Sequence, residues 1–113
     1  MTVTVSDVRR VALTLPRTTE HVIRDRIKFR VGAIVYVAFS RDETSIGFGY
    51  PREERQALIA SAPGKFFLEP ADARYQWISC WMEQLGAAEM EEFVCESWRM
   101  CVPKFLAHDR LGD

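Results

Sequence analysis

The sequence predicts an α+β fold in which an antiparallel sheet carries helices over one face. Residues 27–50 read as three strands separated by turns of a few residues, which forces neighbouring strands to run antiparallel. Residues 89–102 place apolar side chains at helical spacing, the pattern of a helix laid on a core. Helical patterns also precede the strands and interrupt them once, so the helices punctuate hairpins. A chain of 113 residues, 48% apolar and 27% charged, has the ordinary mix of one globular domain. At that length folding removes roughly 65% of the unfolded surface from water, enough for one core.

Each element follows from local chemistry. Ser6 suits the cap of a first helix with Val8, Val11, Ala12 and Leu15 on one side. Pro16 ends it, because the residue before a proline avoids helical angles. Residues 17–26 are polar and show no clear period. Ile27-Lys28-Phe29-Arg30-Val31 alternates apolar with basic side chains, a half-buried strand. Gly32-Ala33 suits a two-residue hairpin turn, and residues 34–40 are a β-branched and aromatic second strand. After the polar turn Arg41-Asp42-Glu43, residues 44–50 alternate Ile46, Phe48 and Tyr50 with Ser45, Gly47 and Gly49, a third strand.

Pro51 then opens a helix at its first position, with Glu53 and Glu54 favourably placed for the helix dipole. Its apolar positions are Ala57, Leu58 and Ala62, and Pro63-Gly64 breaks it. Residues 66–68 read as a short edge strand and residues 75–83 as a longer one. In the final helix Met90, Phe93, Val94, Ser97, Trp98, Cys101 and Phe105 share a side, and Pro103 kinks or ends it near Val102.

Charge and cysteine usage bound the function classes. Fifteen basic against sixteen acidic side chains give a net charge of −1, so global charge does not advertise a nucleic-acid or membrane-surface binder. The longest apolar run spans seven residues, where a membrane helix needs about 20. Residues 1–6 are too short and polar for a secretion signal. Cys80, Cys95 and Cys101, odd in number and set among apolar residues, read as reduced buried thiols of a cytoplasmic protein.

The chemistry-bearing motifs are few. His21 and His108 are far apart in the chain, with no local signature of nucleophilic catalysis. The cysteines lack zinc spacing, and Gly47-Phe48-Gly49 lacks the third glycine and following helix of a dinucleotide loop. No pattern calls for a cofactor, and the expectation is a binding module rather than an enzyme. Glu89, Glu91, Glu92 and Glu96 read as the solvated face of their helix.

The candidate site is the sheet face that the helices leave open. On the first strand Lys28 and Arg30 point away from Ile27, Phe29 and Val31, and Arg26 shares their parity. On the last long strand Trp77, Ser79 and Trp81 point away from Ile78, Cys80 and Met82. Tyr36, on the opposite parity to Val35 and Val37, joins the open face, and Arg99 and Lys104 are candidates for further phosphate contacts. Cations beside rings over a sheet suit nucleic acid, because charges hold phosphates and rings stack on bases. The competing reading is a solvated strand face with Trp77 or Trp81 packed under residues 66–74.

Several stretches in order resemble the MmcQ/YjbR-like family of small bacterial proteins. They are Ala12-Leu13-Thr14-Leu15-Pro16, Phe29-Arg30-Val31-Gly32, Pro51-Arg52-Glu53-Glu54, Phe66-Phe67, Trp77-Ile78-Ser79 and Ser97-Trp98-Arg99-Met100-Cys101-Val102-Pro103-Lys104. The last is the most specific, and together they cover roughly residues 5–106. The resemblance implies a CyaY-like fold, a twisted antiparallel sheet packed against helices. It also implies DNA binding through a sheet likened to a double-wing motif, with no catalytic residues to carry over. The chain departs from the pattern at Ile34, where members often carry lysine, and at Gln76, where they often carry glycine. The expected partner is DNA, bound weakly with low sequence preference, by a monomer or homodimer that does not enter a membrane. The rivals are a small-molecule or peptide binder on the same face, and a homodimer that buries it.

Overall fold

A computed structural model describes residues 2–112. The chain runs α1 (Val5–Ala12), β1 (Thr18–Ile23), β2 (Arg26–Val31), β3 (Ile34–Phe39), β4 (Ser45–Gly49), α2 (Arg52–Ser61), β5 (Phe66–Phe67), β6 (Trp77–Trp81), α3 (Ala87–Arg99) and α4 (Lys104–Leu111), with short 3₁₀ turns at Pro70–Asp72 and Met82–Gln84. The six strands form one antiparallel sheet in the order β1-β2-β3-β4-β6-β5. Helices α1 and α3 pack together, and α3 lies across β3 and β4. Between sheet and helices sits a core that includes Phe29, Phe39, Phe48, Ile78, Val8, Val94 and Trp98. No helix among the described residues is long and apolar enough to cross a membrane.

Helix α1 is capped by Thr4 rather than Ser6. The Asp7 backbone N–H donates to Thr4 Oγ1 at 3.2 Å, and the Thr4 N–H donates to Asp7 Oδ2 at 2.9 Å, a reciprocal box. Strand β1 comes from the segment without period. Its partner turn is Arg24-Asp25, both at positive φ (53° and 65°), joining Ile23 to Arg26 as a two-residue hairpin. That geometry normally recruits Asn-Gly, so the sequence carried no turn signal there. The Gly32-Ala33 turn forms as expected, with Gly32 at φ 59° and Val31 facing Ile34.

Pro51 is the N-cap of α2, one position earlier than expected, and Ala57 is exposed. The residue this helix buries is Arg55. Its Nη1 donates to the carbonyls of Tyr75 (2.7 Å) and Trp77 (3.1 Å), and its Nη2 donates to that of Ala73. One guanidinium thereby satisfies three carbonyls of the segment leading into β6. The last helix ends at Arg99, and Pro103 caps a separate α4. The break turns Phe105 into solvent, 69% exposed, instead of onto the core side with Met90, Val94 and Trp98.

Candidate nucleic-acid interface

A β-bulge reshapes the middle of the sheet. Strand register runs Lys28↔Ala38 and Phe29↔Val37, then Arg30↔Val35, so Tyr36 is the extra residue. The bulge sends Tyr36 and Val37 both into the core, each 0% exposed. Tyr36 therefore does not join the open face. Its hydroxyl shares a 2.7 Å hydrogen bond with Thr18 Oγ1, and burial pushes its ionisation up to about 12. Alternation alone placed it wrongly, because a bulge adds a residue without changing the pattern of residue types.

The remaining candidates divide into groups. Arg26, Lys28 and Arg30 occupy alternate positions on the β2 surface away from the helices, and none has an ion-pair partner among the described residues. Arg26 Nε donates to the Phe39 carbonyl at 2.9 Å, which holds the side chain along the sheet. Arg30 Nη2 lies 3.3 Å from His21 Nδ1, and Thr19 Oγ1 lies 2.8 Å from His21 Nε2. A guanidinium only donates, so Nδ1 accepts, and Nε2–H donates to the threonine. Arg30 Nε is buried with no acceptor. Arg41, from the β3–β4 turn, adds a cation beside Arg26 and donates from Nε to the Arg24 carbonyl at 3.2 Å, tying the two hairpin tips together.

Trp77 and Trp81 point to the same side of the sheet as these cations, but β3 and β4 intervene. Three strand spacings put β6 about 14 Å from β2. Trp77 is half-buried and lies on Gly47, where an added Cβ would sit 2.8 Å from Trp77 Cε2 and Cζ2. Trp81, 41% exposed, stacks on Phe67 with ring centroids 4.5 Å apart, and its surroundings include Glu43 and Glu83. The segment between β5 and β6 brings Glu69 and Asp72 over the same face. The face is therefore basic along β2 and partly covered, with carboxylates, above β6.

Between these halves run two adjoining hollows of about 450 and 940 Å³ that share Arg26, Ala38, Glu69, Asp72 and Trp77. Their floor is a transverse row of small residues, Ala38, Gly47 and Ser79, in register with Lys28. Sequence reasoning did not assign Arg41, Glu69 or Asp72 to this site. They reach it from turns, where no periodicity marks a facing direction.

Arg99 and Lys104 belong elsewhere. They line a groove of about 890 Å³ with Tyr50, Phe93, Met100 and Phe105, bounded by α3, α4 and the chain after β4. Arg99 Nε donates to Glu96 Oε2 at 3.2 Å and Nη1 donates to the Gly112 carbonyl at 3.1 Å. Helix α3 lies across β3 and β4 on their core side, where Phe48 stacks on Phe93, so Glu91, Glu92 and Glu96 project from the opposite side of the molecule to Lys28.

A family model described as YjbR matches residues 13–100. The chain belongs to the YjbR family. Its fold is that of the crystal structure of Deinococcus radiodurans protein DR2400, which carries the DUF419 domain, with a TM-score of 0.75 at 19% identity over 96% of this chain and 88% of that one. No curated protein matches the chain. The matched span of this YjbR-family chain includes β1 to β6 and α3, and so every residue of the two hollows.

The cysteines are free thiols, Cys80 buried and Cys95 and Cys101 only half-buried, a smaller burial than their apolar setting suggested. Burial pushes the Cys80 thiol up to about 11, and it raises Cys95 and Cys101 in the same direction.

Proposed function

We propose that the chain is a non-enzymatic nucleic-acid-binding module that uses the β2 side of the exposed sheet face. The observation that carries the reading is the row Arg26, Lys28 and Arg30, three cations on alternate residues of one strand with no carboxylate paired to them among the described residues. Strand residues two apart lie about 6.6 Å from each other, close to the phosphate spacing of an extended single strand. Arg41 extends the row at the hairpin tips. Trp77 lines the same hollow as Arg26 and Lys28 and offers its ring for a base to stack on, while Trp81 lines a separate hollow with Glu43 and Glu83.

The test is a tryptophan fluorescence titration with short single- and double-stranded DNA at low salt. Each phosphate contact adds roughly 0.7–0.9 to the slope of log affinity against log salt, so Lys28→Ala with Arg30→Ala should flatten it by about 1.4–1.8 units. Absence of binding at high micromolar DNA would overturn the reading. A second reading is favoured by the apolar groove between α3 and α4, which suits a small ligand. Such a ligand would raise the melting temperature with little dependence on salt.

A further inference from the structure

We infer that the bound nucleic acid is single-stranded, and that one of its bases enters the hollow beside Trp77 and donates hydrogen bonds to Glu69 and Asp72. This rests on the reading of the β2 row as a phosphate track. The larger hollow has two unlike walls. Arg26 and Lys28 stand on one side, Glu69 and Asp72 on the other, and all four line the same hollow of about 940 Å³. Opposite charges that share a cavity gain by closing on each other, yet no ion pair joins these walls. The gap has a floor of small side chains and a half-buried indole, a surface on which a planar ring can rest.

The charge arrangement selects among nucleic acids. A duplex presents phosphates on both of its strands, and those nearest Glu69 and Asp72 would be repelled. A single strand lays its phosphates along β2 and turns its bases inward, away from that backbone. A base edge then meets carboxylates, which only accept hydrogen bonds. Cytosine offers two hydrogens from its N4 amino group there, enough for both carboxylates, as adenine does from N6, whereas thymine offers one N3–H flanked by two carbonyl oxygens that repel a carboxylate. The acidic wall thus favours amino-bearing bases over thymine. The segment that carries it is held by Arg55, whose guanidinium binds the carbonyls of Ala73, Tyr75 and Trp77.

The experiment compares (dC)8, (dT)8 and a 12-base-pair duplex by the same titration at pH 7.5. These pyrimidine strands carry equal charge and stack similarly, so they differ at the base edge. The wild type should bind (dC)8 about 5- to 10-fold more tightly than (dT)8, and at least 10-fold more tightly than the duplex. Glu69→Gln with Asp72→Asn should bind both strands more tightly and reduce the difference between them to under twofold. Glu69→Gln alone, at an exposed position, should halve the discrimination and serves if the double variant does not fold. Equal or tighter binding of (dT)8 or the duplex by the wild type overturns the inference and leaves the phosphate track standing. So does discrimination that survives in the double variant. If no oligonucleotide binds, the track falls as well.

Discussion

Tyr36 and Cys80 are the most strongly perturbed ionisable side chains in the core, and both are shifted upward by burial. Their ordinary values are 10.0 and 9.0, and the fold raises them to about 12 and about 11. The sign of the effect on stability follows. As pH rises from 9 to 12 the unfolded chain loses protons that the folded chain retains, so unfolding becomes easier. Two pKa units are worth roughly 2–3 kcal/mol per group. The melting temperature should therefore hold up to about pH 9 and fall steeply towards pH 12. Tyr36→Phe should make the part of that fall above pH 10 shallower, after a small uniform loss for the missing hydrogen bond to Thr18. A wild-type melting temperature flat to pH 12 would contradict the burial of both groups.

At the scale of elements, β4 and β6 are joined by a contact that only glycine permits. Gly47 pairs with Ser79 and carries the Trp77 indole on its bare backbone. Gly47→Ala would place a methyl within 2.8 Å of two ring carbons, so the indole must lift off. The expected result is a loss of about 1–3 kcal/mol, typical of overpacking, and a red-shifted tryptophan emission. In a double-mutant cycle Trp77→Ala should absorb most of the Gly47→Ala penalty, because the two share one contact. Independent, additive losses would show that the ring does not rest there. The bulge at Tyr36 acts at the same scale. It places Val35 and Ala38, instead of a tyrosine, between the β2 cations and Trp77, and so keeps the hollow open.

Over the whole molecule, stability should grade from the centre of the sheet outward. Strands β3 and β4 lie under α3 and with β6 hold most of the fully buried side chains, while β1 and β5 are edges. Hydrogen exchange should be slowest at residues 37–39, 46–48 and 78–80, and faster by at least tenfold in β1. Equal protection in β1 would mean that the edge is covered. Much of this plan was legible in the sequence. Alternation located β2, β4 and β6, because each has one apolar face and a two-residue period survives any packing, and β-branched and aromatic composition located β3. Helical spacing marked α3 for the same reason, through Met90, Val94 and Trp98. Lys28, Arg30, Trp77 and Trp81 do share one side of the sheet, since the bulge beside Arg30 puts its extra residue in β3 and leaves the alternation of β2 and β6 intact. What the tertiary structure alone decided was everything set by turns and irregular backbone. Residues 18–23 became a strand because β2 offered an edge to pair with, not because their own pattern demanded it. Tyr36 went inward through a bulge, Arg99 and Lys104 went to another groove when the last helix broke at Arg99, and Glu69 and Asp72 arrived over the sheet on a loop anchored by Arg55. Periodicity reports which side of its own element a residue takes, while the distance between two elements depends on strand order and loop path, which no local pattern encodes.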